Sequence, residues 1–291
     1  MMSASNRPVA LLTGASAGIG KATARMLVSM GWQVIGTGRD QLRSTAAIAE
    51  VSAAAQDGGS FTMLRGDFNL MADVKRVADE VMALTPRLDV LINNAGGVRD
   101  RLITTDEGTE ATFAVNHLAP FLLTRELMPL LKATATAQPT GTVRVIGVAS
   151  SAHRHSPGFN FDDLQSMASG HPVAAYCQAK LANILFTREL SRRVGPDRIV
   201  AQVMHPGVVA SNFASHGDEA MQTHMASAPT VSPDEPAETL VWLATDPEGG
   251  CQSGRYFHKK AEEVPADVAL DDAAAARLWS ESEVLLAGLG F

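Results

Sequence analysis

Short apolar runs alternate along the chain with longer stretches of helical length. Residues 9–13, 33–37, 61–65, 89–93, 143–149 and 199–204 are brief and rich in Val, Ile or Leu, as expected for strands covered on both faces. Between them, residues 21–30, 71–84 and 109–132 have helical composition. Strand–helix–strand repetition predicts right-handed crossovers, and hence an α/β doubly wound parallel sheet with helices on both faces. The Ala/Ser-rich stretch 44–55 reads as an exposed helix rather than a linker, so residues 1–291 form one domain. Three segments leave the rhythm. Residues 152–173 are a polar insertion broken by Pro157, Gly158, Gly170 and Pro172. Residues 212–233, with Met221, Met225 and several histidines, have the character of a substrate flap beside a pocket. Residues 273–286, with Leu278, Trp279 and Leu285, predict a terminal helix.

Composition narrows the function. The 291 residues are 46% apolar and 19% charged, enough to bury a core without staples. With 24 Lys+Arg against 31 Asp+Glu the net charge is −7, which argues against nucleic acid as a partner. The pairs Lys259–Lys260 and Arg192–Arg193 read as solvated faces. The two cysteines, Cys177 and Cys251, are far apart and fit a reducing compartment. The start of the chain has no apolar leader, and no stretch supplies the roughly 18 uninterrupted apolar residues of a membrane span. The expectation is a soluble, cytoplasmic protein without a membrane partner. His153, His155 and His171 lie in the broken insertion without a recurring ligand spacing, so they read as loop histidines and no metal is expected.

After the first strand comes Thr13-Gly14-Ala15-Ser16-Ala17-Gly18-Ile19-Gly20, followed by a helix. Glycines here let backbone N–H groups approach a pyrophosphate, and the helix N-terminus favours an anion. The alternative is an ordinary tight turn. An acidic residue about 20 residues on would bind a ribose 2′-hydroxyl. The second strand instead ends Gly38-Arg39-Asp40. Arg39 is a planar cation suited to a 2′-phosphate, which favours NADP(H) over NAD(H); Asp40 complicates this, or caps the next helix. Asp67 is placed either to accept from an adenine amino group or to cap a helix.

Tyr176 and Lys180 stand four residues apart, on one helical face. A free phenol has a pKa of about 10, and a nearby ammonium favours the phenolate, bringing it towards acid/base work near neutrality. Ser151, at the end of the fifth strand, adds a hydroxyl beside the same crevice. Cys177 points elsewhere on the helix and reads as packed.

Thr13-Gly14 with Gly18-Ile19-Gly20, then Asn93-Asn94-Ala95-Gly96, Ser151, and Tyr176 with Lys180, resemble the short-chain dehydrogenase/reductase family over residues 9–257. Val115-Asn116-His117-Leu118, Ser150-Ser151-Ala152-His153, Asp163-Leu164-Gln165, Lys180-Leu181-Ala182-Asn183 and His205-Pro206-Gly207-Val208-Val209 are similar to its retinol dehydrogenase-like branch. The resemblance implies a Rossmann sheet of seven parallel strands, the last at residues 254–258. It implies hydride transfer between a nicotinamide and a carbonyl or alcohol carbon of a small, mostly apolar molecule. By match, Tyr176 is the acid/base, Lys180 contacts the nicotinamide ribose, and Ser151 polarises the substrate oxygen. Asn116 supports a proton-relay water. Gly14, Ser16, Gly18, Ile19, Gly20, Arg39, Asp67, Asn93, Ala95 and Gly96 would hold the dinucleotide. Pro206, Gly207, Val209 and Ser211 would pack near its nicotinamide. Homodimers or homotetramers through the helices bearing Asn116 and Tyr176 are common in the family, and the insertion before Tyr176 could obstruct that contact. Other uses of the scaffold are a nucleotide-responsive regulator and a C=C reductase.

One local feature supports the relay without analogy. Pro120 lies four residues after Asn116 and has no N–H for its carbonyl, so a helical kink is expected there.

Overall fold

The computed structural model describes residues 7–210, 217, 222–223 and 227–291. Ser211, Met221 and Met225 lie outside the described residues, as does most of the expected flap.

Parallel strands β1 (Val9–Leu12), β2 (Gln33–Gly38), β3 (Ser60–Arg65), β4 (Val90–Asn93), β5 (Arg144–Val148), β6 (Val200–Met204) and β7 (Arg255–His258) form the sheet. Its order is β3-β2-β1-β4-β5-β6-β7-β8, where β8 is Ala261–Glu262. The reversal beside β1 is where an open α/β sheet leaves a crevice at its carboxyl edge. Successive residues serve opposite layers, as the pleat requires. Leu11, Leu91 and Val145 join one core with Val77, Leu118 and Leu122. Leu12, Ile92 and Ile146 join the other with Leu27, Leu240 and Leu243.

Helices α1 (Gly18–Ser29), α2 (Gln41–Ala53), α3 (Met71–Leu84), α4 (Ala111–Phe113), α5 (Ala119–Ala137), α6 (Pro172–Val194), α7 (Asp234–Thr245) and α8 (Asp272–Gly288) alternate with the strands. Among the described residues, no helix is long and apolar enough to cross a membrane. The insertion contains only 3₁₀ turns at Ser151–His155 and Phe161–Asp163 before Pro172 opens α6.

Two details differ from the sequence reading. The expected kink at Pro120 takes the form of a π-helical turn, Ala114–Leu118, joining α4 to α5. The Ala119 N–H bonds the Ala114 carbonyl five residues back, a wide turn that suits a proline unable to serve Asn116. The sheet also has an eighth strand, antiparallel to β7, rather than ending at seven. Lys259 and Lys260 make its two-residue turn at φ 50° and 62°, a geometry normally signalled by Asn or Gly, which explains why the sequence pattern misses it. Lys259 and Lys260 pair with Glu235 at 2.9 Å and Glu238 at 3.0 Å, tying the turn to α7.

Candidate active site

A cleft of about 340 Å³ runs along the carboxyl edge of the sheet from the β1–α1 turn to α6. Gly14, Ser16, Gly18, Ile19 and Gly20 line one end. Gly14 has φ 72°, and a Cβ there would lie 3.0 Å from Asn94 Nδ2. Asn94, rather than Asn93, binds the turn: its Nδ2 donates to the Thr13 carbonyl at 2.8 Å, and its N–H to Thr13 Oγ1 at 3.0 Å. Asn93 points away, donating to Thr124 Oγ1 at 3.1 Å inside the core. Ala17 offers α1 no side-chain cap, and the first turn holds no acidic residue. Those features fit the turn to a phosphate.

The tip of β2 supplies cations. Arg39 lines the cleft half-exposed, its guanidinium 3.8 Å from the Asp67 carboxylate. Asp40 caps α2 by accepting from Arg43 N–H at 2.8 Å, and it also lines the cleft. Asp67 caps no helix; its Oδ1 organises its own loop by accepting from Asn69 N and Nδ2 at 3.1 and 2.6 Å. Arg99 reaches across to Asn69 Oδ1 at 3.2 Å, and burial lowers its pKa. Arg43 lines the same end. These cations and the phosphate turn fit a dinucleotide.

At the other end Tyr176 and Lys180 face the cleft from α6, beside Ala95, Gly96 and Pro206. Lys180 Nζ lies 5.7 Å from the Tyr176 ring centre and donates to the Val148 carbonyl at 2.9 Å. Burial raises the Tyr176 phenol above its ordinary range, opposed by a hydrogen bond with Ser150. Burial also lowers Lys180 to about 7. Desolvation thus moves the phenol opposite to the direction expected beside an ammonium, and it weakens the ammonium as well.

The serine at Tyr176 is Ser150, not Ser151. Ser150 is extended, at φ −156° and ψ 152°, and hydrogen-bonds the phenol. Ser151 has already entered the 3₁₀ turn and is exposed. Two adjacent serines hide that register in sequence, because the strand boundary decides which one faces the helix. Asn116 stands behind the cleft. Its Nδ2 donates to the Gly97 and Thr112 carbonyls, both at 2.8 Å, and its Oδ1 accepts from Gly97 N–H at 3.2 Å. A Cβ on Gly96 would lie 2.5 Å from Asn116 Oδ1 and 3.3 Å from Lys180 Nζ, so the loop must pass there as glycine. Gly207 and Val209 follow Pro206 outside the cleft, and Val209 bridges Val231. Burial raises the packed Cys177 thiol.

The profile of the short chain dehydrogenase family matches residues 8–222. The chain belongs to that family, and so is an oxidoreductase acting on CH–OH groups with a nicotinamide dinucleotide. Human retinol dehydrogenase 14 is 37% identical over 95% of this chain and 85% of its own length. Polyprenol dehydrogenase of Mus musculus is 35% identical over 97% and 84% respectively. The Pseudomonas aeruginosa RhlG/NADP active-site complex superimposes with a TM-score of 0.69 at 26% identity, covering 94% of this chain and 98% of that one.

Proposed function

We propose that the protein interconverts a mostly apolar alcohol and its aldehyde or ketone with NADP(H), using Tyr176 as acid and base. The observation that carries this reading is the meeting of Tyr176, Ser150 and Lys180 at one end of a cleft whose other end presents Arg39.

Held beside Tyr176 and Lys180, a nicotinamide would supply hydride exchange with the carbonyl or alcohol carbon of the substrate. In reduction, the Tyr176 hydroxyl passes its proton to the carbonyl oxygen and becomes the phenolate; in oxidation the phenolate takes the alcohol's proton back. Burial keeps the phenol protonated and ready to donate. Ser150 Oγ, already bonded to the phenol, holds the same oxygen. Lys180 and Tyr176 would meet the nicotinamide ribose, with Ala95, Gly96 and Pro206 as neighbouring walls. Gly14, Ser16, Gly18, Ile19 and Gly20 would cradle the phosphates, and Arg39 would favour a 2′-phosphate. A relative named for retinol and another for polyprenol support an apolar alcohol. RhlG, in complex with NADP, supports the cofactor.

The test is NADPH consumption over a panel of apolar aldehydes and ketones, with product analysis. Tyr176→Phe should lower kcat by about 10²–10⁴-fold while NADPH affinity stays near that of wild type. Ser150→Ala should lower kcat, and Ser151→Ala should not. Full turnover by Tyr176→Phe would overturn the assignment.

A further inference from the structure

Behind Ser150 lies a second layer of polar groups that the chemistry above does not use. His153 is fully buried. Its Nδ1 lies 2.7 Å from the Ser150 carbonyl, and its Nε2 lies 3.1 Å from the Ala266 nitrogen. A carbonyl only accepts and an amide N–H only donates. Both contacts are therefore satisfied by one form alone, the neutral imidazole with its proton on Nδ1. A proton on Nε2 would face the Ala266 N–H and strand both buried groups.

The clamp joins Ser150 to the segment just after β8, which is itself anchored. Glu263 Oε1 accepts from Arg154 at 2.6 Å, Glu263 Oε2 lies 3.0 Å from His205 Nε2, and the Glu263 N–H donates to the Tyr256 carbonyl at 2.9 Å. The His153 ring stands edge-on to Tyr256, their centres 5.3 Å apart. His153 thus lies between a braced strap and the peptide of the serine that meets Tyr176.

We propose that His153 is a positioning residue: clamped as the Nδ1–H tautomer between the Ser150 carbonyl and the Ala266 N–H, it holds Ser150 Oγ in line with Tyr176 and makes residues 263–266 part of the site. The inference rests on the function proposed above, because it concerns where Ser150 stands during turnover.

Three measurements on the full chain test it. Histidine ¹⁵N NMR without cofactor should show the Nδ1–H pattern for His153, assigned by its loss in His153→Phe. In carbonyl reduction, His153→Phe should lower kcat by about 10–100-fold, with substrate KM and NADPH affinity within about twofold of wild type. His153→Asn, whose amide reaches the place of Nδ1, should recover most of the lost kcat. If His153→Phe does not fold, Ala266→Pro serves instead. Ala266 has φ −62° and ψ 148°, which the proline ring allows; the change removes the N–H donated to His153 and sets a ring carbon against Nε2, so it opens the clamp, and it too should lower kcat selectively. An Nε2–H pattern, unchanged kcat in His153→Phe or in Ala266→Pro, or an Asn variant no better than Phe would overturn the proposal. A wild type that reduces no carbonyl would defeat the proposed function, and the NMR pattern would still decide the clamp.

Discussion

At Lys180 the buried ammonium and the Asn183 amide both donate to the Val148 carbonyl, at 2.9 and 3.1 Å. Burial takes Lys180 from 10.5 to about 7, so the folded chain binds its proton less tightly than the unfolded chain does. Below pH 7 both states are protonated and folding must bury the charge. Between pH 7 and 10.5 the unfolded chain holds the extra proton, and this penalty fades as pH rises. Lys180→Met should therefore abolish turnover yet raise the melting temperature, most at pH 6 and least near pH 10, as thermal unfolding at several pH values would reveal. Asn183 still serves the Val148 carbonyl in that variant, so no new orphan offsets the gain. The neighbouring Ser150 shows a limit of reading chemistry from sequence. The Tyr–Lys spacing follows from helical geometry, whereas choosing between adjacent serines requires knowing where β5 stops.

On the proposed reading, cofactor specificity belongs to the end of an element, the tip of β2. Asp40 and Arg43 line the cleft beside Arg39, but the Asp40 carboxylate is engaged in capping α2, so Arg39 is the cation at the β2 tip, with Asp67 at 3.8 Å as a weak, part-exposed competitor. Arg39→Ala should weaken NADPH binding by about tenfold or more and leave NADH binding nearly unchanged, measured by titrating each nucleotide. Equal losses for both would show that Arg39 does not read the 2′-phosphate. The elements themselves were largely legible. Helix α3 occupies residues 71–84 as expected, and the parallel strands fall within a residue or so of the apolar runs. What escaped was conformation that sequence signals weakly: β8, whose turn uses two lysines, and the shape of the bend at Pro120. Arg99 and Asn69 also escaped, because a contact between the loops after β3 and β4 has no periodic signature.

Across the whole molecule, α8 covers the helices that carry the site. Trp279 packs on Phe121 of α5 at 4.7 Å and on Phe186 of α6 at 5.8 Å between ring centres. Arg193 lies over the same indole at 4.4 Å, and Arg125 pairs with Glu283 at 2.8 Å. The His117 ring, next to Asn116, meets Ser282 Oγ at 2.8 Å. The terminal helix, with the insertion against it where Arg277 lies over the Phe161 ring at 4.2 Å, covers the helices through which dimers of the family are expected. Light scattering should find a single species near 30.7 kDa, and truncation after Leu270 should yield self-associating protein. A full-length dimer dissociated by a charge on the outer face of α5 would contradict this. The small hairpin at the β7 border of the sheet has a consequence of its own. An open sheet ordinarily ends in a row of unsatisfied amides that invites a neighbour's backbone. Here that border is folded back on itself for two residues and finished with a pair of anchored positive charges, so adjoining copies crowded together in a cell would find little there to extend.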